Sequence, residues 1–156
     1  MEITEINEQE LQTWLVVLRA THWLDQQLAR DMMKEDKVRI NWYDVLIHLQ
    51  HAPDSARGMR MQDLIDRVII SNSGMTRLID RLVEEGLVVR QMYDDDRREV
   101  YVTITEAGRK MVTQLMQNHQ KRIKKYFLDY VHDDEMDVIK AVFQRIIESN
   151  SCTPVE

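Results

Sequence analysis

Cysteine is nearly absent from this sequence, and long apolar stretches are missing. Cys152 is the single cysteine among 156 residues, so no internal disulfide can form and disulfide-stapled secreted domains are excluded. No apolar run of about 18 residues occurs, and the opening MEITEINEQE carries acids where a secretory leader needs a basic region followed by an apolar one. The sequence therefore predicts a cytoplasmic protein that does not span a membrane.

Glycine and proline are also scarce. The chain holds four glycines and two prolines, while 31% of its residues are charged and 44% are apolar. This composition is typical of a helix-rich globular chain rather than of a β-sandwich or a disordered segment. A length of 156 residues fits one domain with its own core.

An excess of positive charge is missing as well. The formal net charge is −6, which at first argues against nucleic acid because duplex affinity depends on cations placed against phosphates. The acid excess lies in residues 1–56, with 5 Lys/Arg against 10 Asp/Glu, whereas residues 57–110 carry 10 of each. Screening limits charge effects to roughly 8–10 Å at physiological salt. A middle segment that turns its arginines to one face can therefore still bind DNA.

Helical periodicity dominates the N-terminal part. A long amphipathic helix is predicted from Glu8 to about Lys34, because its apolar residues recur every three or four positions. It is longer than the globular average of about 11–12 residues, which indicates packing against a partner subunit. A second helix is predicted from an N-cap at Asn41 to about Gln50. Its buried residues are expected to be Val45, Leu46 and Leu49.

The middle of the chain predicts two short helices followed by two strands. Residues 61–68 have one apolar face, and Ser71 is the expected N-cap of the next helix, which Gly86 ends. The inward residues of that next helix are expected to be Met75, Leu78, Ile79 and Leu82. Its opposite side carries Asn72, Ser73, Thr76, Arg77, Asp80 and Arg81. Residues 87–92 and 99–104 then predict a hairpin.

Two long helices are predicted at the C-terminal end. Thr105 is the expected N-cap of the first, and Asp133 or Asp134 that of the second. The apolar face of the first runs through Met111, Leu115, His119, Ile123, Phe127 and Tyr130. The stripe of the second runs through Met136, Ile139, Phe143, Ile146 and Ile147.

These elements together predict a mainly α fold with a small β-hairpin wing. Residues 41–108 are expected to form a winged helix-turn-helix DNA-binding domain. Residues 1–40 and 109–150 are expected to form long N- and C-terminal dimerisation helices, and residues 151–156 a flexible tail.

The second short helix and the hairpin carry the chemistry of a DNA reader. In a helix-turn-helix the second helix enters the major groove. Arginine can make two bonds to guanine, serine and threonine reach bases or phosphates, and a helix N-terminus attracts phosphate. Arg97 and Arg98 at the expected hairpin tip would complete a winged version.

The segments SGMTRLIDRLVEEGLVVR at 73–90 and DRREVYVTITEAG at 96–108 resemble the multiple-antibiotic-resistance regulator (MarR) family. The resemblance rests on the order of a reading helix, a GLVxR segment, a DxR wing and an LTxxG segment. The chain departs from the family at Ile104, where leucine is usual, and at Arg60 and Met61, where a Ser or Thr cap is common.

The resemblance implies a homodimer that binds a pseudo-palindromic double-stranded DNA operator, as a repressor and without a cofactor. Carried over by position, the residues facing the major groove would be Ser73, Thr76, Arg77 and Arg81, with Ser71 and Asn72 at the start of the helix. Arg97 or Arg98 would enter the minor groove, and Asp96 would brace the wing through an arginine.

The resemblance also implies a small aromatic or anionic effector at the junction between the first helix and the reading domain. The candidate contacts are His22, Trp23, Trp42 and Tyr43. The alternative is that these side chains simply pack, because Trp and Tyr normally bury their rings and satisfy one polar tip.

Metal and redox chemistry find less support. His48 and His51, with His22 or His119, have the spacing of metal ligands, but such pairs are common by chance, so no metal is predicted. The acidic run 94–96 lacks the glycine and glutamate of an EF-hand loop. Cys152 has no neighbouring cation to activate a thiolate sensor.

The sequence also bears on two other classes of protein. No nucleophile elbow, phosphate loop or zinc-protease motif occurs, so an enzyme is not predicted. The alternative function is a dimeric helical adaptor that binds proteins through its end helices without DNA.

Overall fold

The computed structural model of the chain describes residues 5–54, 56–68, 72–93 and 95–150. These residues form six α-helices and a small three-stranded antiparallel sheet. The chain divides into two compact units, residues 1–120 and 121–156, and the hydrophobic core belongs to the first. The predicted fold class, mainly α with a β-hairpin wing, is confirmed.

The first helix, α1, is Glu8–Asp31, and a π-helical turn, Met32–Asp36, continues it. It begins at Glu8 because Asn7 and Glu10 form a capping box. The Asn7 side chain accepts the Glu10 N–H at 2.9 Å, and the Glu10 carboxylate accepts the Asn7 N–H at 2.7 Å. The predicted long first helix is therefore confirmed.

The second helix, α2, is Ile40–Gln50, and its start corrects one prediction. Arg39 occupies the cap position and makes no side-chain capping bond. The N-cap expected at Asn41 is therefore wrong. The predicted buried face is confirmed, since Val45, Leu46 and Leu49 are all buried.

Five further elements form the middle of the chain: β1 (Met59–Arg60), α3 (Met61–Arg67), α4 (Asn72–Glu84), β2 (Val88–Tyr93) and β3 (Asp96–Ile104). The strand order is β1-β3-β2, with Val102 of β3 opposite Met59 on one side and Arg90 on the other. The sequence missed β1, because two residues are too few to show strand alternation. Arg60 precedes α3 without a side-chain capping bond, as its departure from the family pattern suggested.

Helix α4 ends in a Schellman motif. Gly86 has a φ of +70°, which costs glycine little because it has no Cβ. The Leu87 N–H donates to the Leu82 carbonyl and the Gly86 N–H to the Val83 carbonyl, each at 2.9 Å. The predicted C-cap at Gly86 is confirmed. The proposed N-cap, Ser71, lies outside the described residues.

Helix α5, Glu106–Tyr126, begins at the N-cap predicted for it. The Thr105 hydroxyl accepts the Gly108 N–H at 3.1 Å and donates to the Gly86 carbonyl at 2.7 Å. The Thr105 N–H donates to the Leu87 carbonyl at 3.0 Å. One threonine therefore caps α5 and joins it to the end of α4.

The C-terminal end differs from the prediction in two places. Phe127 and Tyr130 were expected on the apolar face of α5, but the helix ends at Tyr126 and a 3-10 turn, Leu128–Tyr130, follows. Helix α6 is Asp133–Asn150, so Asp133 and its neighbour lie in the first turn rather than at the cap. The expected N-cap at Asp133 or Asp134 is therefore wrong. A helix dipole still favours these acids in the first turn.

The core lies where α2 to α5 meet the sheet. The four residues predicted to point inward from α4 are at most 4% exposed: Met75, Leu78, Ile79 and Leu82. Val102 and Ile104 of β3 and Val112 and Leu115 of α5 complete this side of the core. No helix among the described residues is long and apolar enough to cross a membrane.

Gly108 allows α5 to approach the start of β2. A Cβ on Gly108 would lie 2.2 Å from the Leu87 carbonyl oxygen, a backbone atom that cannot rotate away. We therefore expect Gly108→Ala to destabilise the fold by about 1–3 kcal/mol, although alanine is otherwise the better helix former. The measurement is the urea midpoint.

The matched control is Gly86→Asn. A Cβ at Gly86 meets nothing within 4 Å, so the only cost there is the positive φ, which asparagine tolerates better than most residues. Gly86→Asn should therefore lose less stability than Gly108→Ala. A Gly108→Ala protein as stable as the wild type would contradict the close-packing argument.

Candidate nucleic-acid interface

Helix α4 presents a polar face opposite its buried one. Because successive helical residues turn by about 100°, the spacing that buries the apolar residues leaves the others outside. Four of the predicted DNA contacts are exposed there: Ser73, Thr76, Arg77 and Arg81. The side chain of Asn72 lies outside the described part of the structure, as does Ser71.

Arg90 of β2 holds α4 against the sheet. Its Nη1 donates to a carboxylate oxygen of Asp80, and its Nη2 donates to the Thr76 carbonyl at 3.3 Å. Both charged side chains are partly exposed, at 34% and 47%. Sequence reasoning quoted Arg90 only as a motif letter and did not assign this role. The contact fixes the angle between the reading helix and the hairpin.

The β2–β3 hairpin is the wing, and it is longer than predicted. Tyr93 pairs with Asp96, and Asp95 lies in the turn between them. Arg97 and Arg98 were expected at the hairpin tip, but both belong to β3, just after the turn. Arg98 is exposed, whereas the side chain of Arg97 lies outside the described residues.

The wing is braced by a residue that sequence reasoning missed. Arg57, in the loop before β1, donates from Nη1 and Nη2 to the two carboxylate oxygens of Asp95 at 2.9 and 3.1 Å. Asp95 holds the pKa of Arg57 above its ordinary value, and Arg57 lowers the pKa of Asp95. The expected brace was Asp96, whose side chain is not among those described, so that role stays a prediction.

An open cleft of about 460 Å³ separates the helices from the wing. Its lining residues come from α3, α4, β2 and β3: Met61, Gln62, Thr76, Arg90, Arg98, Glu99 and Val100. Two arginines and one threonine of this lining belong to the motifs that the sequence singled out. The cleft therefore places the polar face of α4 and the wing on two sides of one concave surface.

The four predicted effector contacts have different surroundings. Tyr43 is a core residue, with its ring centroid 4.7 Å from that of His119. Trp42 is partly buried and packs against the core. On α1, His22 shares a hydrogen bond with Gln26 at 2.9 Å, and Trp23 is 51% exposed. Packing therefore accounts for Tyr43, and only in part for Trp42.

A partly buried carboxyl group lies beside these aromatic residues. Burial and, to a smaller extent, the charge of the nearby Asp25 carboxylate of α1 together raise the pKa of Asp44 from its ordinary value of 3.8 to about 6. Burial and the charge of Asp44 also raise the pKa of Tyr43. Sequence reasoning did not single out Asp44, since burial of one helical acid is a tertiary effect.

The histidine pair on α2 is not arranged as a metal site. Burial lowers the pKa of His48, and the charges of Arg67 and His51 lower it as well. The Nδ1 atom of His51 lies 3.0 Å from the Ile47 carbonyl oxygen. Across the described residues, no cluster of three or more His, Cys, Asp or Glu side chains could hold a metal ion. Cys152 lies outside the described residues.

Comparison with known proteins finds a family that part of this chain resembles. Residues 38–99 match the model of the MarR family. The uncharacterised regulator YwhA of Bacillus subtilis is 33% identical over 67 residues, which are 43% of this chain and 48% of that protein. The match thus spans about half the length of that relative. The regulator MhqR of the same organism is 21% identical over 90% of this chain and 93% of its own.

Solved structures show the same fold. Sco3205 of Streptomyces coelicolor, a MarR family regulator in complex with DNA, superposes with a TM-score of 0.85 at 19% identity, over 99% of this chain and 94% of its own. CouR of Rhodococcus jostii RHA1, bound to p-coumaroyl-CoA, gives 0.72 at 22% identity, over 90% and 93%. The predicted resemblance to the MarR family is confirmed for residues 38–99, and both relatives named above are described as transcriptional regulators.

The raised pKa of Asp44 predicts how stability depends on pH. The folded state holds the Asp44 proton more tightly than the unfolded state, so stability falls as pH rises from about 4 to about 6 and then levels. Asp44→Asn removes the buried charge. We expect it to stabilise the protein at pH 7 by on the order of 1–2 kcal/mol, since partial solvation reduces the effect.

Urea unfolding of Asp44→Asn and wild type at pH 4, 5, 6 and 7 measures this difference. Asp25→Asn is the control and should stabilise less, because the Asp25 charge is the smaller cause of the shift. If Asp44→Asn destabilises the protein equally at every pH, the carboxylate accepts a structural hydrogen bond and the prediction is wrong.

Proposed function

We propose that the chain binds a specific DNA operator as a homodimer and represses transcription there, because residues 38–99 match the model of the MarR family and a solved regulator of that family in complex with DNA shares its fold. The observation that carries the proposal is the placement of an exposed polar helix face and an arginine-bearing wing on either side of one cleft. A major groove about 12 Å wide admits a helix, and an adjacent minor groove can receive a wing residue.

The reading helix is suited to base recognition. Arg77 and Arg81 lie four residues apart on the exposed face of α4, with Thr76 and Ser73 beside them. Arginine distinguishes guanine by two parallel bonds, and hydroxyl groups complement other base edges. The buried opposite face keeps α4 in place while its exposed face contacts DNA. Major-groove roles for these residues, with Ser71 and Asn72, are part of the proposal.

The overall acidity of the chain is compatible with this function. The acid excess of residues 1–56 belongs largely to α1 and α2 rather than to α4 and the wing. Several acids near the interface are also neutralised by arginines, as in the pairs Arg90–Asp80 and Arg57–Asp95. Arg98 is exposed on the wing and available to a phosphate or a narrow minor groove.

Dimerisation is proposed from the apolar residues that α1 and α6 leave exposed. Trp14 and Leu18 of α1 are 57% and 46% exposed, and Phe143 and Ile146 of α6 are 39% and 54% exposed. Large apolar side chains exposed along a helix in this way mark interaction surfaces. A two-fold dimer covers the same residues on both copies and presents two reading helices to a pseudo-palindromic operator. The division into dimerisation helices (1–40 and 109–150) and a reading domain (41–108) follows from this proposal.

An effector is proposed at the junction between α1 and α2. CouR, which shares the fold, is bound to an aromatic, anionic ligand. In this chain His22 and Trp23 on α1 and Trp42 on α2 are the candidate contacts, because Tyr43 is committed to the core. The neighbouring carboxylates Asp25 and Asp44 disfavour an anion beside them, so these residues suit the aromatic part of an effector. The proposed place of action is the cytoplasm, where the operator lies.

The proposed division of labour between helix and wing is tested with arginine variants. Arg77→Ala should lose about 1–3 kcal/mol on the operator and relax its sequence preference, because it removes contacts to base edges. Arg97→Ala and Arg98→Ala should weaken operator and scrambled DNA alike. Since a dimer presents each wing twice, the slope of log affinity against log salt should fall by up to about 1.8 for each.

The operator is first selected from genomic fragments, and binding is measured by fluorescence anisotropy across a salt series. Lys110→Ala is the control, because it removes an exposed cation from α5, outside the proposed contact elements. Retention of the full operator preference by Arg77→Ala would refute its base-reading role. A wild-type dimer that binds no DNA would instead favour the helical adaptor.

The proposed dimer is tested by light scattering. The wild type should have twice the chain mass of 18.6 kDa at micromolar concentration. Phe143→Asp should shift the mass toward the monomer, because it places a charge in an apolar contact. Met92→Asp is the control, since Met92 is an exposed apolar residue of the wing and should leave the dimer intact. A folded wild-type monomer would contradict the proposal.

A further inference from the structure

Arg57 contacts the wing at three points although it belongs to the loop between α2 and β1. We infer that Arg57 is the positioning residue of the wing: it holds the turn between β2 and β3 in the orientation that DNA binding requires. The inference rests on the proposed DNA-binding function. Within that function, it assigns the residue that sets the orientation of the wing.

The first contact is the fork to the turn. Nη1 and Nη2 of Arg57 donate to Oδ2 and Oδ1 of Asp95 at 2.9 and 3.1 Å. A planar guanidinium that bonds both oxygens of a carboxylate fixes the direction of that carboxylate, which a single lysine bond would not do. Because Asp95 lies in the turn itself, its direction is also the direction of the wing tip.

The second and third contacts are the tyrosine rings that flank the guanidinium. The Cζ atom of Arg57 lies 4.6 Å from the ring centroid of Tyr93 and 4.5 Å from that of Tyr101. The two rings meet edge to face, with centroids 5.2 Å apart and an interplanar angle of 84°. A cation within about 6 Å of a ring face is attracted by the ring. Since Tyr93 belongs to β2 and Tyr101 to β3, Arg57 joins both wing strands.

The fourth contact anchors Arg57 to the body of the sheet. The Thr103 hydroxyl donates to the Arg57 carbonyl at 3.2 Å. The next residue, Gly58, has a φ of +79°, and a Cβ there would lie 2.1 Å from the Val102 carbonyl oxygen. The loop is therefore seated directly on β3. Because the backbone of Arg57 is fixed to β3, its side chain can hold the wing tip at a fixed position relative to the core.

The outer half of the wing gains most from such an anchor, because its pairing is irregular between Gln91 and Tyr93 and Met92 is 67% exposed. The Tyr93 hydroxyl also holds it to this loop by donating to the Arg57 carbonyl at 3.3 Å. A two-stranded hairpin is only marginally stable by itself. An unanchored wing would have to be ordered when DNA binds, and that conformational entropy would subtract from the affinity.

A direct contact between Arg57 and a DNA phosphate is the competing role, and the two roles predict opposite effects of one substitution. Asp95→Asn breaks the fork but keeps the Arg57 charge and removes a negative charge near DNA. If Arg57 positions the wing, operator binding weakens. If Arg57 binds phosphate, its release from Asp95 strengthens operator binding.

The experiment compares variants of the full chain on the selected operator. Arg57→Met should weaken binding by about tenfold, and Asp95→Asn by about threefold. Arg57→Lys keeps the charge without the fork and should fall between wild type and Arg57→Met. In a background that carries both Arg97→Ala and Arg98→Ala, the loss caused by Arg57→Met should shrink to under about twofold, since the wing then has little left to position.

Hydrogen exchange of the free protein gives a readout without DNA. Amides of residues 91–98 should exchange faster in Arg57→Met, while those of α4 keep their wild-type rates. Tighter binding by Asp95→Asn, or an equal loss with and without the wing arginines, would overturn the positioning role. If the wild type binds no DNA, the proposed function fails, whereas unchanged wing exchange in Arg57→Met overturns the positioning inference by itself.

Discussion

The arrangement of the reading domain depends on the contact between the start of α5 and the end of α4. Thr105 bonds the carbonyl groups of Gly86 and Leu87, and Gly108 lets the backbone of α5 approach Leu87 without a Cβ in the way. This contact determines where the reading helix ends, where β2 begins and where β3 passes into α5. Within the predicted TxxG segment, Thr105 is thus the cap of α5 and Gly108 is the site of close packing.

The contacts described above also hold helix α4 and the wing in place relative to the core. Helix α4 is held at its C-terminal end by the Schellman motif, along its length by four buried residues, and near its middle by Arg90. The wing is held at its base by pairing with β1 and at its tip by Arg57. Helix and wing therefore form two sides of a cleft whose shape is set before any ligand binds. Such preorganisation favours affinity because less entropy is lost on binding.

The charged residues of the chain have two different roles, which their contacts distinguish. Acidic residues dominate the first third of the chain, whereas Arg90 and Arg98 line the cleft, and Arg90 is paired with Asp80. A paired arginine positions structure, and an exposed arginine such as Arg77 or Arg98 is available to bind. The composition of the chain cannot separate these two groups, because both contribute one positive charge. The two groups of arginines are distinguished only by whether the guanidinium has an acidic partner in the folded structure.

Local signals in the sequence determined much of this protein. The apolar spacing in α4, the glycine at its C-cap and the threonine before α5 act within one or two turns, so a pattern of neighbouring residues is sufficient to predict them.

The tertiary structure alone decided the rest. Asn41 has the right side chain for a cap but lies two residues after the cap position, and β1 exists only because β3 offers it a partner. Arg57 and Asp95 are 38 positions apart, and no local period connects them. Their contact depends on how the loop before β1 folds onto the sheet, which is a property of the packed chain and not of any segment within it.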